Sequence, residues 1–203
     1  MFITFEGIDG CGKSTQLSLI AEFLEQKNKK VMCFREPGGT LLAEQIRQIL
    51  LNSSEHISPV AELLLFNSAR ANLVEEKIKP AIANGYIVLC DRFYDSTTAY
   101  QGYGRMLPIE DVVRCNMFAT GGFKPDLTFL LDLPYKISLE RSNLRNLDRM
   151  ENAGEDFFNR VIQGYRIIAN SEPERVYLID STATIEKVKE DIISILKIKL
   201  NIS

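Results

Sequence analysis

Histidine is nearly absent from this chain: among 203 residues there is one, His56. Chemistry that needs an imidazole therefore has a single candidate, and it lies far from every motif described below. The four cysteines, Cys11, Cys33, Cys90 and Cys115, form no C-x-x-C pair and have no histidine at ligand spacing. A zinc site or disulfide framework is not expected, and a reducing cytoplasmic compartment is. No apolar run approaches the roughly 18 residues of a membrane helix. The N-terminus runs straight into a strand-like segment, without the basic stretch and cleavage site of a signal peptide, so neither secretion nor a membrane partner is expected. Excess positive charge is missing too. The formal net charge is −3, so the chain as a whole is not built to hold nucleic acid. Repeats, low-complexity tracts and long linkers are also lacking.

What remains is ordinary in bulk and informative in pattern. The apolar share is 45% and the charged share 25%, as in soluble globular domains. The length suits one domain over residues 1–203. Short apolar runs at Phe2–Phe5, Val31–Phe34, Tyr86–Cys90, Leu127–Leu131 and Val176–Ile179 read as strands. Several are apolar throughout, which suits a sheet covered on both faces. Amphipathic segments read as helices over Lys13–Gln26, Thr40–Leu51, Ile109–Ala119, Tyr135–Leu144, Asp156–Ile168 and Ile185–Leu196. Another begins with Ser58 as cap and Pro59 at its first position. Strands alternating with helices predict an α/β fold with a parallel sheet of about five strands. Ligands of such sheets lie beyond the C-terminal strand edge. The segments that follow the strands are "EGIDGCGKST", "REPGG", "DRFYDS", "DLPYK" and "DSTAT".

The first contains Gly-x-x-x-x-Gly-Lys-Ser, from Gly7 to Ser14. Chance supplies such a match in roughly one chain in a hundred of this length. Here a strand precedes it and a helix starts within it, which is the context of a phosphate-binding loop. Gly7, Gly10 and Gly12 let backbone N–H groups converge, and the helix adds its positive end. Lys13 is placed to reach β/γ-phosphates and Ser14 to ligate Mg²⁺. A tight turn with a capping serine is the alternative. Asp9, inside the loop, is either an Asx-turn residue or a partner for a hydroxyl or metal.

No guanine-reading N/T-K-x-D motif and no strand ending in Asp-Glu is found. Instead "YIVLCDRF" ends in Asp91-Arg92. Asp91 can serve Mg²⁺ as a Walker-B-like carboxylate. Arg92 suits a second anion, because its fork holds phosphate bidentately. Alone, the pair would read as a surface ion pair. Arg141, Arg145 and Arg149 recur at spacings of four. They form either a solvated helix face or a lid over about 141–152 that supplies arginines to transferring phosphates.

Taken together, "FEGIDGCGKSTQ", "REPGGT", "LLLFNSARANL", "DRFYDSTTAYQG", "KPDLTFLLDLP" and "LDRMEN" resemble the thymidylate kinase family over essentially the full length. The resemblance implies a three-layer P-loop fold with strand order 2-3-1-4-5, a homodimer, and Mg²⁺-dependent transfer of the γ-phosphoryl of ATP to dTMP. It assigns Gly7, Ile8, Asp9, Gly10, Cys11, Gly12, Lys13, Ser14, Thr15, Arg141 and Arg149 to ATP. It assigns Asp9, Glu36, Phe66, Arg70, Arg92, Ser96, Thr97, Tyr100 and Gln101 to dTMP. Phe66 would stack on thymine and Arg70 would hydrogen-bond its O4, four residues along one helix face; Phe66 otherwise reads as core, as Leu63 to Leu65 do. Tyr100 would crowd the 2′ position, Gln101 would lie near the base, and Arg47 would either reach the acceptor phosphate or sit on a helix surface. Glu151 would meet the acceptor or Mg²⁺ waters, beside Ser14 and Asp91 as metal groups. Some members carry an arginine in the loop where this chain has Gly10-Cys11. The resemblance then shifts that role to the lid, with Arg145 first, and gives the catalytic set Lys13, Arg92, Arg145 and Asp9. Kinases of UMP or dCMP, and a nucleotide-binding protein without turnover, are the remaining readings.

Overall fold

The protein is described here by a computed structural model, which covers residues 1–142 and 154–202. Five strands form one parallel sheet: β1 (Phe2–Glu6), β2 (Val31–Arg35), β3 (Ile87–Asp91), β4 (Leu127–Asp132) and β5 (Val176–Asp180). Their order is β2-β3-β1-β4-β5, as the resemblance implies. In register, Ile3 lies beside Leu89 on one side and Leu127 on the other. All five predicted strands are present, each continuing to a polar or charged residue at its C-terminal end.

The helices are α1 (Lys13–Gln26), α2 (Leu41–Asn52), α3 (Pro59–Leu73), α4 (Lys79–Ala83), α5 (Tyr94–Thr97), α6 (Ile109–Thr120), α7 (Tyr135–Ser142), α8 (Glu155–Ser171) and α9 (Ile185–Leu200). Thr40 is the cap of α2 rather than its first residue, its Oγ1 accepting from Ala43 N at 3.1 Å. Ser58 caps α3 as the sequence predicts. The end expected for α7 at Leu144 lies outside the described residues. Two π-helical stretches, Val74–Ile78 and Thr98–Gly104, escaped the sequence reading.

Alternation along the central strands serves both faces. Ile3, Phe5 and Leu89 join Leu17, Ile20 and Leu24 of α1 in one core cluster. Phe2, Val88 and Cys90 meet Leu73, Val74 and Ile78 in another. The expectation of strands covered on both faces fails for β2, where Met32 and Cys33 are exposed. As the edge strand β2 has only β3 to pair with, so its apolar run is not fully covered. In α3, Leu64 is 51% exposed rather than core, because the inward stripe runs through Glu62, Leu63, Asn67 and Arg70.

Candidate active site

All five strands point their C-terminal ends at one side of the sheet, and the backbone ladder extends past them. Arg92 N donates to Phe5 O at 2.9 Å, Glu36 N to Asp91 O at 2.9 Å, and Ser181 N to Asp132 O at 3.0 Å. The loops after β1, β2 and β3 are thereby fixed around one cavity of about 540 Å³. Gly7 turns away from β1 at φ 134°. A Cβ there would meet Leu131 O at 2.6 Å and Cys11 Sγ at 2.8 Å, so only glycine fits. Gly12, at φ 93°, caps α1. The buried Lys13 Nζ donates to Gly7 O at 3.1 Å and Ile8 O at 3.0 Å. Asp9, Gly10, Gly12, Lys13, Ser14 and Thr15 line the cavity. Ile8 and Cys11 do not: both side chains are 1% exposed and belong to the core. They can offer a ligand only backbone. Burial pushes the Cys11 thiol up, the nearby Lys13 opposing it, so it is a neutral packing group.

Ser14 Oγ donates to Asp91 Oδ2 at 2.8 Å. A hydroxyl and one carboxylate oxygen, adjacent at the start of α1, are the hard donors Mg²⁺ takes when substrate phosphates and water complete its shell. Among the described residues no group of three His, Cys, Asp or Glu side chains forms a closed metal cage. The donor set therefore fits a metal carried with a nucleotide better than a resident one. Arg92 follows Asp91 at φ 70°, a sparsely populated region for a residue with a Cβ. That turn points its guanidinium across the loop. Nη2 pairs with Asp9 Oδ1 at 2.7 Å; Nη1 donates to Gly7 O at 2.9 Å and Ser96 Oγ at 3.2 Å. Arg141 Nη1 and Nη2 donate to Gly10 O at 3.3 Å and Ser181 O at 3.1 Å. Arg47 also lines the cavity and donates to Pro37 O at 3.0 Å.

The rest of the cavity lining has a different character. Phe66, Arg70, Thr97, Tyr100 and Gln101 line it. Arg70, 1% exposed, donates from Nε and Nη2 to Glu36 Oε2 at 2.9 and 2.6 Å, from Nη2 to Thr97 Oγ1 at 2.9 Å, and from Nη1 to Asn116 Oδ1 at 3.2 Å and Asn67 Oδ1 at 3.5 Å. The Asn67 contact is at the limit of bonding distance. Glu36 Oε1 is sealed from solvent with no hydrogen-bond partner among the described residues, and burial raises this carboxyl while Arg70 opposes the shift. Tyr100 lies over the Arg92 guanidinium, 5.2 Å from its carbon to the ring centre. Arg145, Arg149 and Glu151 lie outside the described residues.

Sequence reasoning missed three groups here. Glu6 ends β1 fully buried, and accepts from Phe93 N at 2.7 Å, Ser96 Oγ at 2.5 Å and Tyr165 OH at 3.1 Å. Tyr165, on α8, was read only as part of a helix. Glu62, on α3, accepts from Gln101 Nε2 at 2.9 Å. None carries a local motif; their partners lie 90, 159 and 39 positions away. For Glu6 and Glu62 the available signal was a charged residue in or at the end of an apolar run, and Tyr165 gave none.

Burial and then Asp95 raise the Glu6 carboxyl to about 7. An unfolded chain loses that proton near 4.3. Between those values the unfolded state binds fewer protons than the folded one, so this group makes stability fall as pH rises from about 4.3 to about 7. The ceiling is roughly 4 kcal/mol at ~1.4 kcal/mol per pH unit. Glu6→Gln is expected to flatten that part of the curve. Denaturant melts of both proteins from pH 4.5 to 8 check it; parallel curves would refute the protonation of Glu6.

The geometry joins an anion-binding loop, a hydroxyl–carboxylate pair and a clamped arginine to a cavity with a stacking face and directed hydrogen-bond groups. That arrangement suits a phosphate donor at one end and a nucleotide acceptor at the other. Known proteins agree. The family model described as thymidylate kinase matches residues 5–192. A thymidylate kinase from Thermosipho africanus is 48% identical, covering 97% of this chain and 98% of that protein. One from Chlorobaculum parvum is 46% identical over 97% of this chain and 95% of its own length. Among solved structures, a thymidylate kinase from Ehrlichia chaffeensis superposes with a TM-score of 0.80 at 36% identity, covering 97% of this chain and 98% of that one. With site geometry, fold and sequence in accord over nearly the whole length, the chain belongs to the thymidylate kinase family.

Proposed function

We propose that this chain transfers the γ-phosphoryl group of ATP to dTMP, giving ADP and dTDP, in the supply of dTTP. The observation that carries the reading is one cavity lined both by the phosphate loop and by the Phe66/Arg70/Gln101 group. ATP lies along Gly7–Thr15, with Lys13 on its β/γ-phosphates, and Arg141 covers it beside Arg149. The dTMP phosphate meets Arg92, Ser96 and Asp9, and Arg47 approaches it. Thymine stacks on Phe66. Arg70 hands the base oxygen O4 the N–H now at the limit of reach to Asn67, while Glu36 anchors the same guanidinium. Thr97 and Gln101 border the base, and Tyr100 the sugar. Ser14 and Asp91, with Glu151 from the lid, hold Mg²⁺, which supplies charge neutralisation on the donor phosphates when bound.

The acceptor is a phosphate dianion and needs no base to become a nucleophile. His56, exposed and away from the cavity, is then no paradox. What remains is to hold two polyanions in line and offset their repulsion, which preorganised cations do. We assign residues 1–203 to one domain with a lid over about 141–152, operating in the cytoplasm. The lack of any helix long and apolar enough to cross a membrane among the described residues fits. For a homodimer the support is an apolar surface on adjacent helices: Val60 and Leu64 of α3, with Val113 and Phe118 of α6, are 54, 51, 42 and 92% exposed.

The direct test is ADP release with Mg²⁺, ATP and each monophosphate in turn. ADP formation is expected with dTMP far above UMP, dCMP or AMP. Equal rates with UMP or dCMP would replace the assigned acceptor, and no turnover with any would refute a kinase.

A further inference from the structure

Three candidates stand outside the assigned roles: the buried Glu6 network, a shallow groove beside β2 lined by Lys30, Lys77 and Tyr86, and the Glu62–Gln101 contact. The last goes furthest. Gln101 is 1% exposed, yet borders the cavity. An amide has two ends of similar shape and opposite polarity, so a reading of the base depends on which end faces it. Here one end is committed. Gln101 Nε2 donates to Glu62 Oε1 at 2.9 Å. Glu62 is itself fully buried and takes Arg105 Nε on Oε1 at 3.1 Å and Arg105 Nη2 on Oε2 at 3.3 Å. The guanidinium favours the ionised carboxylate, and an ionised carboxylate only accepts. It can bind the NH₂ of Gln101 and not its carbonyl. The carbonyl oxygen, which has no protein donor among the described residues, is therefore the end left for the ligand.

We propose that Glu62 is a positioning residue that fixes the Gln101 amide with its carbonyl toward the acceptor base, and so sets the pocket to take a base with an N–H at the centre of its pairing edge. This rests on the assignment of dTMP above. Thymine presents a donor at N3, which that carbonyl accepts. Cytosine presents a lone pair at N3, which it repels. Glu62, Phe66 and Arg70 recur every four residues along α3, so one helix stripe orients the amide, offers the aromatic face and presents the guanidinium. The π-helical turn over Thr98–Gly104 buries Tyr100 and Gln101 together, although they are consecutive.

Glu62→Gln tests the idea with little change of shape. A glutamine has one acceptor where glutamate has two. Where that oxygen takes the place of Oε2 on Arg105 Nη2, the NH₂ takes the place of Oε1 and turns the Gln101 amide around. The ratio of kcat/KM for dTMP over dCMP is expected to fall about tenfold or more, in line with the discrimination that a directed base contact gives. Most of the change should lie in KM for dTMP. In a Gln101→Ala background the same substitution should move the ratio by no more than about twofold, because Glu62 acts through Gln101. Glu62→Met, which removes every acceptor at similar volume, carries the same direction should Glu62→Gln not fold. A dTMP-selective wild type whose ratio is unaltered by either substitution overturns the inference alone, as does an equal fall with and without Gln101. A wild type indifferent to dTMP overturns the substrate assignment and the inference together.

Discussion

Replacing Arg92 with alanine is expected to lower kcat/KM for dTMP by on the order of 10²–10³, the scale of removing one partner from a desolvated charge pair at ~2–5 kcal/mol. The guanidinium does not wander in search of the acceptor. Asp9 Oδ1, Gly7 O and Ser96 Oγ hold it at 2.7, 2.9 and 3.2 Å, and its side chain is 17% exposed. It is ordered before substrate arrives, so little freedom is lost when phosphate binds. Its backbone conformation, φ 70°, is no easier for alanine, so the substitution does not act by releasing strain. It does take from Asp9 the cation at 2.7 Å, leaving Lys13 Nζ at 3.9 Å, beside an incoming phosphate. The double variant Arg92→Ala/Asp9→Ala separates the two effects: recovery of most of the loss would assign it to repulsion by Asp9, and no recovery to the missing clamp. Arg92→Lys keeps the charge without the fork and is expected to regain only part. Steady-state kinetics with dTMP as varied substrate decide, and a change below threefold in kcat/KM would remove Arg92 from the acceptor site.

The phosphate loop and Asp91-Arg92 were legible in the sequence because their meaning is local. A strand, a glycine-rich turn and a helix occupy consecutive residues, and Ser14 meets Asp91 simply because β1 and β3 are neighbours. The strands were legible for a similar reason, since a buried parallel strand is apolar whichever face a residue takes. Direction of side chains inside the loop was not. Cys11 falls between Gly10 and Gly12, whose φ values of 75° and 93° set the backbone path, and it ends in the core beside Gly7 instead of in the phosphate bowl. No periodicity reports such a turn. The polar networks were also hidden, because they close across elements. Glu6 meets Ser96 and Tyr165 from α5 and α8; Asp95 pairs with Arg175 at 2.7 Å behind the site, at the head of β5. The resemblance assigned Arg70 to the acceptor, its spacing from Phe66 gave only a shared helix face, and both residues line the cavity. Its engagement by Glu36, Thr97 and Asn116 depends on three other segments and could be read only from the fold.

Arg145→Ala is expected to lower kcat by about 10³–10⁵, the range for an arginine supplied to a phosphoryl-transfer transition state, while the Kd for dTMP changes by less than about threefold. The reason begins in the loop. Gly10-Cys11 brings no cation, and Cys11 is buried, so the loop itself offers a phosphate its N–H groups, Lys13 and the hydroxyls of Ser14 and Thr15. The described arginines at the cavity are engaged in holding the site. Arg92 is on Asp9, Arg70 on Glu36, Arg35 on Glu44, and Arg141 on Gly10 O and Ser181 O. Charge that develops on the transferring group needs a further cation, and the segment between α7 and α8, proposed above as the lid, carries Arg145 and Arg149 in its sequence. Binding of dTMP, which relies on Arg92 and the base end of the cavity, should scarcely register the loss. Arg141→Ala should instead weaken ATP binding, since that guanidinium bridges the phosphate loop and the loop after β5. Single-turnover rates with ATP in excess, set beside equilibrium dTMP binding, separate the two. An unchanged rate in Arg145→Ala with a large fall in Arg149→Ala would transfer the role four residues along the lid, and unchanged rates in both would return the search to the cations already around the phosphate loop.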